Sequence, residues 1–348
     1  MLGTPIKTAT KLRTTLKSAP PMQSVRFHGP RDIRVDEVEE PMKPAYVGIC
    51  GSDLHEFTSA PLSHEFDGII EEVGEGVTHV SPGQRAVVRP TIYDGNCSAC
   101  KLGYNHCCEN IGFIGLSGFG GGMSRKIVAP AAQFYPIPDN VSLKIAALIE
   151  PLEVSWYAVN LSPFKPGDSV LIVGGGPIGI GIVQVLKLQG ATRIMVAELM
   201  ENRKKLCGEY GATNILDPRE VDIASRVHQL TDGGGADVIF DAAGVEKALL
   251  DAIPACRTQG TIVNIAVWEK NPAIPVNQLM CNELRYMVAA LYDEMSFLDV
   301  IRAISHGHLT PENMITAKIP LDQVVAGGFK ALLEHRHQHC KILVDVQA

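Results

Sequence analysis

A cysteine-rich segment, "DGNCSACKLGYNHCC", has the clearest metal-ligand spacing in the sequence. Two residues separate Cys97 from Cys100, seven more precede Cys108, and Asp94 lies three residues before Cys97. Two thiolates at this spacing bind one tetrahedral zinc from a single loop, and a closed structural site needs four ligands. Cys107 is an alternative to its neighbour Cys108. The alternative is that these four cysteines are free thiols. Free cysteines are usually buried in a hydrophobic core, whereas this segment is polar, so that alternative is disfavoured. The pattern therefore predicts a structural zinc lobe.

A second set of metal-binding residue types is scattered along the chain. It comprises Cys50 in "GICGSDLHEF", His64 and Glu65 in "LSHEFDG", and Glu150 in "LIEPLEV". Catalytic zinc keeps three protein ligands and one open position, and a cysteine, histidine and carboxylate set suits it. Each residue also has a purely structural interpretation, in a strand, a turn or a helix start. Spacing alone does not bring them together.

A glycine loop follows a short apolar run in "SVLIVGGGPIGIGIVQVLKLQGATRIMVAE". Gly174, Gly176 and Gly179 fit the G-x-G-x-x-G pattern, in which glycines permit a tight turn and close approach of a pyrophosphate to a helix N-terminus. Glu198 lies 19 residues after Gly179, where a carboxylate binds ribose hydroxyls and repels a 2′-phosphate. The pattern predicts an NAD site, and a ligand-free tight turn is the weaker alternative. The candidate cofactor residues are Gly174, Gly176, Pro177, Ile178, Gly179, Glu198 and Arg203.

The elements that position these residues change in type along the chain. Residues 22 to 135 read as short strands and loops, beginning with a hairpin around a Gly-Pro turn, and residues 142–160 look helical. Alternating strands and helices then predict a doubly wound parallel sheet with helices on both faces, an α/β fold. The early strands are expected at Ile69–Val73, Arg85–Arg89 and Ser124–Val128. Later strands are expected at Val170–Val173, Ile194–Ala197, Val238–Asp241, Thr261–Ile265, Arg285–Leu291, Ile315–Ile319 and Lys341–Val346. Helices are expected at Ile178–Leu188, Asn202–Tyr210 and Arg219–Leu230.

Composition excludes several classes of protein. The 348 residues suit two domains, and a net charge of −7 argues against a nucleic-acid partner. The sequence contains no run of 18 apolar residues, so no membrane-spanning helix is expected. The basic, hydroxyl-rich residues 1–21 are typical of a disordered extension or of a mitochondrial transit peptide. We expect a cytoplasmic protein, with a mitochondrial location as the alternative.

Taken together, these motifs resemble the zinc-dependent medium-chain alcohol and polyol dehydrogenases over the whole length of that family. The resemblance rests on "GICGSDLHEF", "HEFDGIIEEVGEGV", "PGQRAVV", the cysteine lobe, "IEPLEVSWYAV", "VLIVGGGPIG" and "KILVDV". Within the family the sequence is most similar to butanediol dehydrogenases, through "GFIGLSGFGGGMSRKIVAP", "GTIVNIAVWEK" and "IPLDQVVAGGFKALLEH". Sorbitol, xylitol and threonine dehydrogenases are near relatives.

The resemblance implies a GroES-like, mostly-β catalytic domain at residues 22–160, a Rossmann domain at 161–292, and a return to the catalytic domain at 293–348. It implies NAD, a catalytic and a structural zinc, and a homodimer or homotetramer. Small alcohols or vicinal diols would be substrates, with polyols as the alternative. The implied catalytic zinc residues are Cys50, His64, Glu65 and Glu150, the last as a ligand or as a hydrogen-bonding neighbour. The implied structural zinc ligands are Asp94, Cys97, Cys100 and Cys108. The implied proton relay to solvent is Ser52 and His55.

The sequence departs from the family pattern around the first metal motif. Only 13 residues separate Cys50 from His64, where relatives usually have a longer loop, and a strand before "YVGICGSD" is shortened. Ser63 stands where glycine usually precedes the histidine. A catalytically impaired nucleotide-binding homologue is therefore one rival interpretation. A zinc-free reductase of the same superfamily is the other, and Cys50, His64 and the cysteine lobe argue against it.

Overall fold

The protein's structure, a computed structural model, describes residues 22–29, 32–38, 43–50, 53–54, 63–116, 120–335 and 337–348. Its strands are β1 (Met22–Gly29), β2 (Asp32–Val38), β3 (Lys43–Gly48), β4 (Glu65–Ile69), β5 (Arg85–Val88), β6 (Thr91–Ile92), β7 (Gly112–Phe113), β8 (Phe134–Pro136), β9 (Ser169–Val173), β10 (Arg193–Ala197), β11 (Asn214–Leu216), β12 (Ala236–Asp241), β13 (Cys256–Asn264), β14 (Arg285–Val288), β15 (Ile315–Pro320) and β16 (Lys341–Asp345).

The α-helices are α1 (Ser98–Lys101), α2 (Leu143–Ala146), α3 (Ile149–Leu161), α4 (Pro177–Leu188), α5 (Glu201–Tyr210), α6 (Ile223–Leu230), α7 (Glu246–Ala252), α8 (Val276–Cys281), α9 (Glu294–Ser305) and α10 (Ala331–Glu334). Short 3-10 turns and one π-helical segment, Val324–Lys330, join some of them.

Six strands form a parallel sheet in the order β11-β10-β9-β12-β13-β14. The alternation of strands and helices predicted this α/β arrangement, which is confirmed, but some boundaries differ. Strand β11 was not predicted, and β14 stops at Val288 rather than Leu291. Helix α6 begins at Ile223 rather than Arg219 because the Asp222 carboxylate accepts a hydrogen bond from the Ser225 N–H at 2.8 Å and caps the helix there.

A second six-stranded sheet has the order β15-β16-β3-β4-β5-β8. The C-terminal strand β16 pairs antiparallel with β3, which pairs antiparallel with β4. The last strands of the chain therefore complete the sheet that its early strands begin. Strands β1 and β2 form the predicted hairpin as a separate two-stranded sheet.

Two early strand predictions are wrong. Strand β4 spans Glu65–Ile69 rather than Ile69–Val73, because the residues from Glu65 to Ile69 are the ones that pair with β3 and, from Asp67 onward, also with β5. Residues 124–128 form no strand beyond an isolated bridge at Ser124, whose hydroxyl donates to the Lys126 carbonyl at 2.8 Å. Such a local side-chain bond replaces a strand ladder with a turn.

Helix α3 connects the two sheets through one hydrophobic core. Leu152 of α3 is fully buried in a cluster that also holds Val87 of β5, Val170 of β9 and Phe297 of α9. Pro151 fits the first turn of α3 because N–H groups there have no intrahelical partner. The sequence "IEPLEV" thus starts a helix whose first turn lies close to both sheets.

We expect Asp67→Asn to stabilise the protein. Asp67 of β4 is fully buried, and burial raises the pKa of its carboxyl well above the ordinary value, although the backbone N–H groups of Tyr46 and Ala147 act in the opposite direction. Because ionising this carboxyl costs free energy in the folded protein and not in the unfolded one, replacing it with an amide of the same shape should raise the free energy of unfolding at neutral pH by about 1–3 kcal/mol. Urea-induced unfolding followed by circular dichroism measures this. The exposed Asp139→Asn control should shift stability by less than about 1 kcal/mol, and a destabilised Asp67→Asn would contradict the argument.

Candidate active site

Three of the scattered metal-ligand candidates lie close together where β3 ends and β4 begins. One ligand atom each from Cys50, His64 and Glu65 lies within 4.8 Å of the others. Cys50 follows β3, and His64 immediately precedes β4, in which Glu65 lies opposite Gly48. The His64 and Glu65 side chains are 4% and 1% exposed. Strand pairing therefore assembles what spacing in the sequence could not.

The backbone conformation next to His64 allows the three metal-ligand candidates to lie close together. Ser63 has a φ of 53°, in the left-handed region that favours glycine, and its hydroxyl donates to the Gly48 carbonyl at 2.5 Å. The positive φ explains why glycine usually occupies the position before this histidine. The hydrogen bond of the Ser63 hydroxyl partly offsets the strain of a non-glycine residue in that conformation. A Cβ on Gly48 would lie 2.2 Å from Glu65 Oε2, so glycine there leaves room for the carboxylate.

A buried lysine holds Glu65. Lys341 Nζ lies 2.6 Å from Oε2 and 2.8 Å from Oε1 of Glu65, and it also donates to the Ile49 carbonyl at 3.3 Å. The two side chains are only 2% and 1% exposed. Burial by itself would lower the pKa of Lys341, but the adjacent Glu65 carboxylate holds it above its ordinary value, so Lys341 carries its positive charge.

Glu150 lies close to this group but outside it. It is not among the three residues whose ligand atoms lie within 4.8 Å of one another. Its Oε1 accepts a hydrogen bond from the Tyr292 hydroxyl at 2.9 Å, and burial raises the pKa of the Glu150 carboxyl to about 7. The structure therefore brings Cys50, His64 and Glu65 together and places Glu150 beside them, facing Tyr292.

The residues present fit a zinc ion. Thiolate, imidazole and carboxylate are all zinc ligands, and three of them leave the open position of a catalytic site. His64 Nδ1 is buried and has no hydrogen-bond partner among the described residues. Asp53, fully buried, accepts a hydrogen bond from the Cys50 N–H at 2.8 Å and fixes the backbone there. Ser52 and His55 lie outside the described residues.

The cysteine lobe forms a second group. Ligand atoms of Asp94, Cys97, Cys100 and Cys108 lie within 4.8 Å of one another, and the sulfurs of Cys97 and Cys108 are 3.8 Å apart. The neighbouring Cys107 is exposed and is not part of the group. The N–H of Cys100 donates to the Cys97 sulfur at 3.4 Å, which lowers the pKa of the Cys97 thiol. Such donors stabilise the thiolates that zinc requires.

Asp94 is held by its own hydrogen bonds. Asn110 Nδ2 donates to Oδ2 at 2.6 Å, and the N–H groups of Asn96 and Cys97 donate to Oδ1 at 2.8 and 3.0 Å. The Asn110 amide and these N–H groups keep the pKa of Asp94 far below its usual range. An ionised carboxylate in a fixed position beside three thiols suits a four-ligand zinc site.

The glycine loop has the geometry of a dinucleotide site. Gly174 follows β9 directly, and α4 begins at Pro177 with Gly176 as its N-cap. A Cβ on Gly179 would lie 1.9 Å from the Gly174 carbonyl oxygen, so only glycine allows this close packing. Ile178 packs against the main core, and its carbonyl accepts a hydrogen bond from the Ser155 hydroxyl at 3.0 Å. The N-terminus of α4 is thus available to a pyrophosphate.

Glu198 joins this loop to the next strand. Its Oε2 accepts a hydrogen bond from the Gly175 N–H at 2.7 Å, and its Oε1 accepts from the N–H groups of Leu199 and Met200 at 2.6 and 2.8 Å. Arg203 on α5 lies beside Gly176, and its buried Nε has no hydrogen-bond partner in the described chain. Glu198 therefore stabilises the glycine loop from the position directly after β10.

The sequence did not predict the contacts that Lys341, Tyr292 and Asp53 make with Glu65, Glu150 and Cys50. A lysine at the start of the apolar run "KILVDV" was a signal, since a charge beginning a buried strand needs a partner. Asp53, three residues after Cys50, had the spacing of a local side-chain cap. Tyr292 had no such signal, because it reaches Glu150 across 142 residues of sequence.

Within the described residues no helix is both long and apolar enough to cross a membrane.

Comparisons with known proteins agree with this architecture. The alcohol dehydrogenase GroES-like domain model matches residues 39–139, and the zinc-binding dehydrogenase model matches residues 177–306. A protein named (R,R)-butanediol dehydrogenase from Neisseria gonorrhoeae is 34% identical over 355 aligned positions, which cover 93% of this chain and 99% of the relative. Because 93% of 348 residues is fewer than 355, the relative has residues that this chain lacks.

Solved structures show the same fold. The crystal structure of 2R,3R-butanediol dehydrogenase from Bacillus subtilis superimposes with a TM-score of 0.86 at 34% identity, covering 94% of this chain and 100% of that chain. A zinc-binding dehydrogenase structure from Sinorhizobium meliloti, bound to NADP, gives a TM-score of 0.84 at 28% identity and covers 94% and 100% of the two chains. With its GroES-like and Rossmann sheets and its two metal-ligand groups, the chain belongs to the zinc-dependent medium-chain alcohol and polyol dehydrogenase family.

Proposed function

We propose that this protein oxidises a secondary alcohol or vicinal diol, with butanediol as the leading substrate, and reduces NAD. The proposal rests on the convergence of Cys50, His64 and Glu65 in a chain that also carries a glycine loop of dinucleotide-binding geometry. Its similarity to proteins named butanediol dehydrogenase supports the choice of substrate. Polyols such as sorbitol and xylitol remain the alternative substrate class.

Cys50 and His64 would hold the catalytic zinc, with Glu65 or Glu150 as the carboxylate nearest to it. Zinc bound there supplies a Lewis acid that lowers the pKa of an alcohol, and NAD accepts the hydride. Lys341 and Tyr292 orient the two carboxylates. Ser52 and His55 are proposed to pass the alcohol proton to solvent. Asp94, Cys97, Cys100 and Cys108 would hold a separate structural zinc.

The oligomeric state is proposed from the edge of the parallel sheet that, among the described residues, ends at β14. Strand β14 ends that sheet, and the nearby Val276, Met280 and Val288 are 68%, 66% and 58% exposed. An open edge with apolar neighbours favours pairing with a second copy. A homodimer or homotetramer joined at this edge is therefore proposed.

We also propose a division into two domains. Residues 22–160 together with 293–348 would form the catalytic domain, and residues 161–292 would form the cofactor-binding domain.

The preference for NAD over NADP is expected to depend on the charge of Glu198. Glu198→Gln keeps the side chain's size but removes the charge that repels a 2′-phosphate. Loss of a charged interaction of about 1.5–3 kcal/mol should move the ratio of kcat/KM for NADP to that for NAD upward by about 10–100-fold. Steady-state kinetics with both cofactors measure the ratio. The exposed Glu201→Gln control should leave it unchanged, and a wild-type preference for NADP would refute the assignment.

The substrate assignment is tested by following NAD reduction with the butanediol stereoisomers, sorbitol, xylitol and threonine. We expect the highest kcat/KM for a butanediol stereoisomer. A higher value for a polyol would move the assignment to that class. Binding of NAD without reduction by any of these alcohols would favour a catalytically impaired homologue, which the shortened segment before His64 makes the relevant rival.

A further inference from the structure

We propose that Tyr292 is a positioning residue that holds the Glu150 carboxylate away from the Cys50–His64–Glu65 group, so that the fourth metal position stays open for substrate. The inference rests on the proposed zinc site. It adds a residue that decides which carboxylate completes the ligand set.

Tyr292 is placed to fix one oxygen of Glu150. It lies between β14 and α9, is 1% exposed, and is among the largest fully buried side chains of the described residues. Its hydroxyl donates to Glu150 Oε1 at 2.9 Å. A hydrogen bond of this length between two buried groups is not exchanged for one to water, so it fixes the direction of the Glu150 carboxyl group.

Glu150 is near the metal group without being part of it. Its carboxylate interacts electrostatically with His64 and Glu65, yet it is not one of the three residues that could hold an ion within 4.8 Å. A second buried carboxylate, Glu153, lies three residues later on α3 and also interacts with Tyr292. Of these two acceptors, the hydroxyl bonds to Glu150 in the structure.

The chemical consequence concerns the number of ligands. Cys50, His64 and one carboxylate leave the open position that a catalytic zinc needs, whereas a second carboxylate would close the tetrahedron. Each carboxylate here has its own partner: Lys341 contacts both oxygens of Glu65, and Tyr292 contacts one oxygen of Glu150. Without the Tyr292 hydroxyl, Glu150 is free to turn and fill the open position.

The test uses the full-length, zinc-loaded protein and Tyr292→Phe, which removes only the hydroxyl. We expect zinc to leave the Cys50 site at least about tenfold more slowly in the presence of EDTA, and kcat for butanediol to fall about 10–100-fold with the KM for NAD unchanged. The visible absorption of the cobalt-substituted protein should change, because its ligand set changes. Tyr210→Phe is the control, since that side chain is buried in the main hydrophobic core and belongs to neither metal-ligand group.

Glu150→Gln separates the possible roles of the carboxylate. If Glu150 is held outside the ligand set, this variant should release zinc within about twofold of the wild-type rate, and Tyr292→Phe/Glu150→Gln should show no slowing. Fast zinc loss from Glu150→Gln, or a wild-type cobalt spectrum and release rate in Tyr292→Phe, would overturn the inference while leaving the enzyme assignment intact. A wild-type chain that binds no zinc through Cys50 would instead overturn both.

Discussion

The Cys50→Ser variant is expected to lose the catalytic zinc and nearly all dehydrogenase activity. Cys50 supplies the thiolate of the three-residue group with His64 and Glu65, and a serine hydroxyl is a poor zinc ligand at neutral pH. Metal polarisation of the substrate contributes several kcal/mol to transition-state stabilisation, which corresponds to a loss of about 10³-fold or more in kcat/KM. NAD reduction and zinc content, measured on the same preparation, check both parts.

The matched control is Cys281→Ser. Cys281 is exposed, lies at the end of α8 and belongs to neither metal-ligand group. Its substitution should change neither the zinc content nor kcat/KM. Full activity in Cys50→Ser would show that the chain does not use zinc at this position, and the proposed chemistry would then be wrong.

The Lys341→Met variant is expected to be strongly destabilised. Methionine has a similar length but no charge, so in the zinc-free protein Glu65 would remain buried without a counter-ion at 1% exposure. Breaking a buried ion pair from one side costs about 3–5 kcal/mol, because the remaining charge is desolvated and unpaired. The midpoint and slope of urea-induced unfolding measure the loss.

Two further variants separate the buried pair from a general effect of losing a lysine. Lys318→Met removes a half-exposed lysine on the adjacent strand β15, which pairs with Asp345 at 3.1 Å, and should change stability by less than about 1 kcal/mol. Lys341→Met/Glu65→Gln should recover most of the lost stability, since it removes the unpaired charge as well. Equal losses from Lys341→Met and Lys318→Met would contradict the importance of the buried pair.

The cofactor part of the fold was the most predictable from the sequence, and local chemistry explains why. The glycine loop lies between an apolar strand and a helix, and its residues are close in sequence, so the pattern itself specifies β9, the turn and α4. The cysteine lobe is similar, because Asp94 and Cys108 are only 14 residues apart. Their grouping required no long-range pairing.

The metal group at Cys50 depends on contacts that no local pattern contains. Glu65 and Lys341 are 276 residues apart and meet only because β16 pairs with β3 beside β4. The start of β4 was misplaced for the same reason, since its bounds depend on pairing with β3 and β5 and not only on its own apolar residues. Resemblance to a family supplied the roles of Cys50 and His64, whereas the partners of the two carboxylates required the structure.

The zinc content of the purified full-length chain decides whether Cys50, His64 and Glu65 hold a catalytic zinc. We expect about two zinc ions per chain in the wild type, falling to about one in Cys50→Ser and unchanged in Cys281→Ser. One zinc per chain in the wild type, retained after Cys50→Ser and lost when Cys97 is replaced, would mean that only the cysteine lobe binds metal. That result would contradict a catalytic zinc at Cys50, His64 and Glu65.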